Sequence, residues 1–495
     1  MKRRLHFNNI SSLIYQMVAV VVGLILPRLI LKYYGSAVNG IVLSVTQLLA
    51  VIALLDLGVG AVVQAAFYKP LSEKDKKKIS EIYNASGRYF RIVAIILIFY
   101  VIGLCFYYGL FKADSFSWMF SAGIILSIAI GYFAQYFFGM TNSILVCSDQ
   151  KAYVCTFINL ITLIISTVIS VILIVNGYSI QLVKLISSLV FLARPIYLSI
   201  YVRRNYEIER MPEVTIDAIP DKWSGMAQHV ATILTGSIDN ILLTVFSIFE
   251  QVSVYNIYVM PLNAVRNLIE VTSTNYKSFF GGIIAGGDRE KLKAEFEKYE
   301  LLMHFVVTCI FCAIVRVLVP FVLLYTEGVH DADYNVPLFA VVITAAYAIY
   351  SLRFVYSNIV FAGGKFKETR RYSIIEVILN FVISIILIKP LGLVGVAIGT
   401  CVSSGYRMCA LAYYLKGDLV YRKFGYFVKH VVVDVVCIAL SALATFNIPF
   451  GFGNFAEWFI SGVLVALICG VICVVVNVVC YPEFRRVVRS RRSRN

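Results

Sequence analysis

The chain has 495 residues, of which 60% are hydrophobic and 15% charged, with a formal net charge of +16. A soluble globular chain is roughly half apolar and a quarter charged, so a mean hydropathy of +0.83 excludes a sizeable soluble domain and describes an integral membrane protein. Nucleic acid is not the expected partner of the positive charge, because the basic residues fall in short loops between apolar segments, where they set topology and meet anionic lipid headgroups.

The start, Met1-Lys2-Arg3-Arg4, is basic, but the apolar run behind it is too long for a cleavable signal and has no small-residue cleavage site, so it reads as a retained first span. About fourteen apolar segments follow, each near the ~20 residues a spanning helix needs. They begin near Asn9, Val38, Tyr89, Trp118, Tyr153, Ser179, Trp223, Val254, Tyr299, Val336, Tyr372, Leu393, His430 and Phe455. They are too long, and alternate too little, to be strands. The fold class is therefore all-α, with both termini cytoplasmic: 33 of the 44 Lys and Arg residues fall in alternate loops, the inner ones if the N-terminus is inside.

Within this order, the first two segments frame a stretch from Gly23 to Gly60, joined by the polar turn Gly35-Ser36-Ala37-Val38-Asn39-Gly40. Lys69 to Arg88 reads as a surface helix opened by a capping box, Ser72-x-x-Asp75, with Ile79 and Ile82 on one face. Gly286 to Lys298 has the same character. The outer loop Leu324–Tyr334 is acidic. Asp75-Lys-Lys-Lys-Ile-Ser-Glu-Ile-Tyr83 aligns with Asp288-Arg-Glu-Lys-Leu-Lys-Ala-Glu-Phe296 at an offset of 213, and Val168–Ile174 with Val382–Ile388 at 214. Two matches in one order at nearly one offset describe an internal repeat. The expected organisation is a six-helix lobe over 1–210, a second over 220–417, and two further spans with a basic tail over 418–495. Six spans per lobe set both lobes the same way up, and rocking one against the other opens a central cleft to alternate sides.

Charges inside spans are costly and mark protein interiors or watery cavities. At ~1.5 Å rise per residue, Arg266 falls near mid-membrane, Arg194, Arg353 and Arg407 in the inner half, and Arg28 and Arg316 in the outer half. Guanidinium pairs phosphate oxygens with two hydrogen bonds and stays charged, so Arg28, Arg266, Arg353, Arg407 and Arg194 are the candidate substrate-binding cations. Arg194 and Arg407 have a second reading as residues snorkelling to the inner interface. Arg316, Lys184 and Lys277, nearer span ends, are read as snorkelling. The acidic set, Asp56, Asp239, Glu270 and Glu376, supplies coupling or counter-ion candidates. Asp56 or Asp239 is either a counter-ion of a cavity arginine or a site coupling transport to H+ or Na+. Glu270, four residues after Arg266, is placed to neutralise it. His229 reads as a packed polar residue. The eleven cysteines, with Cys309-x-x-Cys312 near His304, read as small packing residues rather than metal ligands, and no cofactor is expected.

The chain resembles the Wzx-type polysaccharide flippases, for O-antigen or capsule repeat units, of the multidrug/oligosaccharidyl-lipid/polysaccharide exporter superfamily. The resemblance rests on Leu26-Pro27-Arg28 followed by Tyr34-Gly35 and Asn39-Gly40, on Leu54-Leu55-Asp56-Leu57-Gly58-Val59-Gly60, on Leu324-Tyr325-Thr326 with Gly328-Val329 and Asp331, and on the fourteen-span, two-lobe layout. It implies a bacterial cytoplasmic-membrane flippase that moves undecaprenyl-diphosphate-linked oligosaccharide from inner to outer leaflet, with membrane lipids, a polysaccharide polymerase and glycosyltransferases of the same pathway as partners. The alternatives are a multidrug or cation antiporter of the same fold, which calls for a cavity dominated by carboxylates, a peptidoglycan lipid II flippase, and a membrane polymerase. The last needs a catalytic acid or base on a long outer loop, and none is long enough, so the chain is not read as an enzyme.

Overall fold

The computed structural model describes residues 2–56, 59–112, 115–209, 226–448 and 454–482, with Met211 and Phe484. Among the described residues there are sixteen α-helices and no strand. In order they are α1 (Lys2–Ala50), α2 (Val59–Glu73), α3 (Lys76–Phe111), α4 (Trp118–Ala134), α5 (Met140–Ser148), α6 (Ala152–Val175), α7 (Ile180–Phe191) and α8 (Ala193–Asn205). There follow α9 (Met226–Phe246), α10 (Phe249–Ala285), α11 (Arg289–Tyr325), α12 (Pro337–Ala362), α13 (Phe366–Leu391), α14 (Leu393–Gly417), α15 (Gly425–Thr445) and α16 (Phe455–Cys480). A 3-10 turn, Val51–Asp56, follows α1, and a π-helical turn, Gln135–Gly139, joins α4 to α5. Eleven described segments are long and apolar enough to cross a membrane, which makes this a multi-pass membrane protein. By internal contacts the chain forms two units: Met1–Thr244 with Ile248–Ser253, and Val245–Ser247 with Val254–Asn495.

One of the eleven segments, Ile10–Leu55, is 46 residues long. A straight helix of that length would measure ~69 Å, more than twice a bilayer's hydrocarbon core. The chain breaks it at Gly35, where φ is 85° and ψ 174°. The expected six-residue turn is thus a single residue, and Ser36 to Gly40 are already helical. Only glycine takes that backbone geometry without a Cβ clash. Inside the first unit the helix after the break packs against the start of α10, so closely that a Cβ on Gly40 would lie 1.8 Å from the Phe249 carbonyl oxygen. Asn39 donates to Ser253 at 2.8 Å, and Ser44 bonds both Tyr108 and Thr244 at 2.6 Å.

The surface helix expected over 69–88 is not a separate element. Ser72 lies in the last turn of α2, and its hydroxyl donates back to the Lys69 carbonyl, so it caps nothing. The break comes at Lys74, with φ of 56°, and the cap is Asp75, whose carboxylate accepts from the Lys78 amide at 3.0 Å. From there α3 runs unbroken for 36 residues. In the second unit Gly287, φ 72°, precedes Asp288, whose carboxylate accepts from the Lys291 amide at 3.0 Å and opens the 37-residue α11. Each cap satisfies an otherwise orphaned donor and contributes about 1 kcal/mol.

The same spacing recurs at two further turns. Lys74 and Gly287, Gln150 and Gly364, and Gly177 and Gly392 all have positive φ, and their separations are 213, 214 and 215 residues. The repeat read from short side-chain matches is therefore also a repeat of where the backbone turns.

Candidate functional site

Within the first unit, α1, α4, α6, α7 and α8 line an open cavity of about 460 Å3. Its wall includes Lys184, Arg194, Gln135, Asn159 and Tyr132, and no lining residue is acidic. The Arg194 Nε donates to the Thr162 hydroxyl at 2.7 Å, and the guanidinium lies 4.1 Å from the centre of the Phe191 ring. Gln135 opens the π-helical turn, a distortion that re-aims side chains from the helix wall. The chamber therefore has two basic side chains on its wall, of which Arg194 is held by neutral partners, and its field favours an anion. Lys184, read from the sequence as snorkelling, stands on this wall instead, because α7 is only twelve residues long and turns this face toward the cavity.

The second unit builds a different arrangement. Glu376 on α13 is fully buried; one carboxylate oxygen accepts from Arg353 on α12, and the other from Arg407 on α14. The seam that brings them together is legible in the packing. A Cβ on Gly395 would fall 2.2 Å from the Leu387 carbonyl oxygen, and one on Gly399 would fall 2.0 Å from the Ser384 hydroxyl. These contacts and Arg407–Glu376 climb one antiparallel register, so small residues that let α13 and α14 touch also set the ion pair. The Arg353 guanidinium lies 3.9 Å from the Tyr350 ring centre, and that of Arg266 lies 5.3 Å from the same centre. Two guanidiniums thus share one carboxylate, and a third shares the Tyr350 ring with one of them. The Nε atoms of Arg266, Arg353 and Arg407 are buried with no hydrogen-bond partner among the described residues. A buried donor left unmade costs about 1–3 kcal/mol, which an anionic acceptor would recover.

The remaining sequence candidates are dispersed. Arg28 is half-buried on α1 and does not line the cavity, although Leu26 does. Asp239 is buried on α9. Glu270 is exposed, and the Arg266 hydrogen bond goes to Asn267 at 3.0 Å, so the expected neutralisation by Glu270 does not describe Arg266's contact. The side chains of Asp56 and His229 lie outside the described residues. Arg316 donates to the Thr445 and Phe446 carbonyls at the end of α15, where a cation satisfies orphan acceptors. Lys277 sits over the Phe361 and Phe366 rings. Cys312 packs with Cys437, Cys469 and Cys473 in a small apolar cluster, and no metal-binding group occurs among the described residues.

Sequence reasoning missed Glu300, Arg422, His430 and Asp434, which form a buried network in the second unit with His304 and Tyr356. The signal was present: Glu300, His304 and Thr308 share one helical face at i, i+4, i+8, and His430 and Asp434 share another.

No family model matches the sequence, and no curated protein does. Solved structures do. The chain matches "Lipid II flippase MurJ, inward closed conformation" with a TM-score of 0.67 at 15% identity, over 93% of this chain and 97% of that one. It matches a MATE multidrug transporter, DinF-BH, with a TM-score of 0.56 at 15% identity, over 86% and 97%. It also matches a eukaryotic MATE transporter, AtDTX14, with a TM-score of 0.53 at 11% identity, over 88% and 98%. The chain has the fold of these transporters.

Proposed function

We propose that this protein is a flippase that moves an undecaprenyl-diphosphate-linked sugar repeat unit, of the O-antigen or capsule type, from the inner to the outer leaflet of a bacterial cytoplasmic membrane. It works by alternating access through a cationic cavity, without catalysis, alongside the glycosyltransferases and polymerase of its pathway. The observation that carries this reading is the Arg266–Arg353–Arg407 set: two buried guanidiniums on one carboxylate, a half-buried third beside the Tyr350 ring, and three buried Nε donors without hydrogen-bond partners among the described residues. A diphosphate is the acceptor such donors suit, because it takes paired N–H donors while staying anionic. A drug-cation exporter would place carboxylates in excess instead. The fold shared with a lipid II flippase supports a lipid diphosphate substrate, and keeps the peptidoglycan precursor as the second reading.

The test is reconstitution in vesicles with fluorescent undecaprenyl-diphosphate sugar. Wild type is expected to move it between leaflets, and Arg266→Ala to move it at least tenfold more slowly. Equal movement in both removes the role given to Arg266. A cationic dye carried in place of the lipid would favour the multidrug alternative, and lipid II carried in preference to the repeat unit would favour the other. The gene is expected among glycosyltransferase genes.

A further inference from the structure

Asp434 on α15 accepts from two donors on α11: the Thr308 hydroxyl at 2.8 Å, and the Nδ1 side of His304, 2.6 Å away. The other ring nitrogen of His304, Nε2, is 2.8 Å from the Tyr356 hydroxyl oxygen on α12. That hydroxyl has one proton, and it donates it to Glu300 at 2.7 Å. Glu300 is itself clasped through both oxygens by Arg422, so it is an ionised acceptor. The Tyr356 oxygen can therefore only accept from His304, which puts a proton on Nε2. Nδ1 faces a carboxylate that is already accepting from Thr308, which puts a second proton on Nδ1. Every hydrogen bond is satisfied only if one further proton lies between Nδ1 and the facing Asp434 Oδ2, and an imidazole nitrogen, more basic than a carboxylate, takes it, so the ring carries both protons.

The charge count agrees. His304, Asp434, Glu300, Arg422 and His430 are all nearly or fully buried. Two carboxylates and one guanidinium leave a net charge of −1 with both histidines neutral; one imidazolium brings it to zero, and the hydrogen-bond pattern of His304 places it there. The other groups facing the pair are His430, Lys429 and the cluster thiols. His430 lies with Nε2 3.4 Å from Glu300, and its Nδ1 is 2.7 Å from the Tyr481 hydroxyl; it stacks on His304 with 4.9 Å between ring centres. Cys312 and Cys437 are thiols of the adjoining cluster, as is Cys473 on α16. Lys429 donates to the Cys480 carbonyl and lies over the Tyr481 ring.

We infer that the His304–Asp434 pair is a proton-binding site, and that H+ is the ion coupled to transport. This rests on the flippase reading above. The proton leaves from Nδ1; the ring becomes the neutral Nε2–H tautomer, and its bond to Tyr356 survives. What is lost is the donor to Asp434, and an unbalanced carboxylate is left between α11 and α15. Docking of α15 on α11 thus depends on the bound proton. Polar contacts continue from Tyr356 through Glu300 and His430 to Tyr481, just past the end of α16, so the site is linked to both C-terminal helices.

Two measurements on the full-length protein test this. The chain has five histidines, so 15N-histidine labelling gives few resonances, and His304→Gln assigns one. In detergent at pH 8, His304 is expected to show two protonated ring nitrogens, and Asp434→Asn to reduce this to one. A single protonated nitrogen in wild type overturns the site. In vesicles, an imposed proton gradient is expected to accelerate wild-type flipping several-fold, and His304→Gln and Asp434→Asn to flip at one gradient-independent rate. Wild-type flipping that ignores the gradient overturns the coupling while leaving the flippase reading intact. A doubly protonated His304 in a protein that moves no lipid would instead sink the flippase reading and keep the site. Should Asp434→Asn fail to fold, the wild-type spectrum alone decides.

Discussion

The two units hold their cations in opposite ways. In the first, Lys184 and Arg194 line an open cavity, and Arg194 leans on hydroxyl, carbonyl and ring partners. In the second, Arg353 and Arg407 are packed away and share one carboxylate. The difference follows from solvation. A cation on the wall of a chamber that admits water keeps much of its hydration, so neutral partners suffice. A cation sealed between three helices loses it, and only an opposite charge offsets the desolvation. Small residues at the α13–α14 seam bring those helices close enough to seal it, and Glu376 answers the consequence.

The sharpest break in that contrast is Glu376→Gln, which leaves two guanidiniums buried without a counter-charge. A loss of about 3–5 kcal/mol is expected, read as a lower melting temperature in detergent. Arg194→Met is expected to cost less, about 1.5 kcal/mol, since it removes two hydrogen bonds to neutral partners, one of them long at 3.5 Å, and neither partner is left ionised. Equal losses would mean that the cavity is as dry as the seam. Asp75→Ala and Asp288→Ala remove equivalent caps and are expected to cost about 1 kcal/mol each. Here the units should agree, and unequal values would show that the repeat in backbone geometry does not extend to energetics. Lys184→Met should shift stability by no more than about 0.5 kcal/mol. It should nevertheless slow flipping about tenfold if the cavity serves the anionic substrate, the cost of one charge-assisted bond.

The smallest effect lies in the loops. The Lys365 ammonium, 2.8 Å from Asp418, holds that carboxyl below the usual carboxylate range. A depressed carboxylate contributes stability above its unfolded value, about 3.9, and loses it as pH falls through the folded value. The difference in melting temperature between wild type and Asp418→Asn is therefore expected to be flat from about pH 5 upward and to shrink below about pH 4.

Much of this protein was legible as pattern. Apolar segments of spanning length are a local property, because a bilayer imposes a length and every backbone group must be satisfied within its own helix. The Asp75/Asp288 repeat was also readable, since a cap acts within four residues, although the cap itself was placed on Ser72 rather than on Asp75. Single-residue backbone events were less so. The turn at Gly35 looked six residues wide because polar composition is not the same as a break in φ and ψ. The choice of partners was decided only in three dimensions. Glu376 stood among the acidic candidates, yet its two arginines are 23 and 31 residues away on other helices, and no spacing along one helix reveals which neighbour it meets. Glu300 and Arg422, 122 residues apart, were hidden for the same reason. Composition and spacing settled that the chain crosses a membrane many times and carries charge within it. Which of those charges are sealed, which line a cavity and which hold a proton depends on close helix packing, where a missing Cβ sets how near two charges can come.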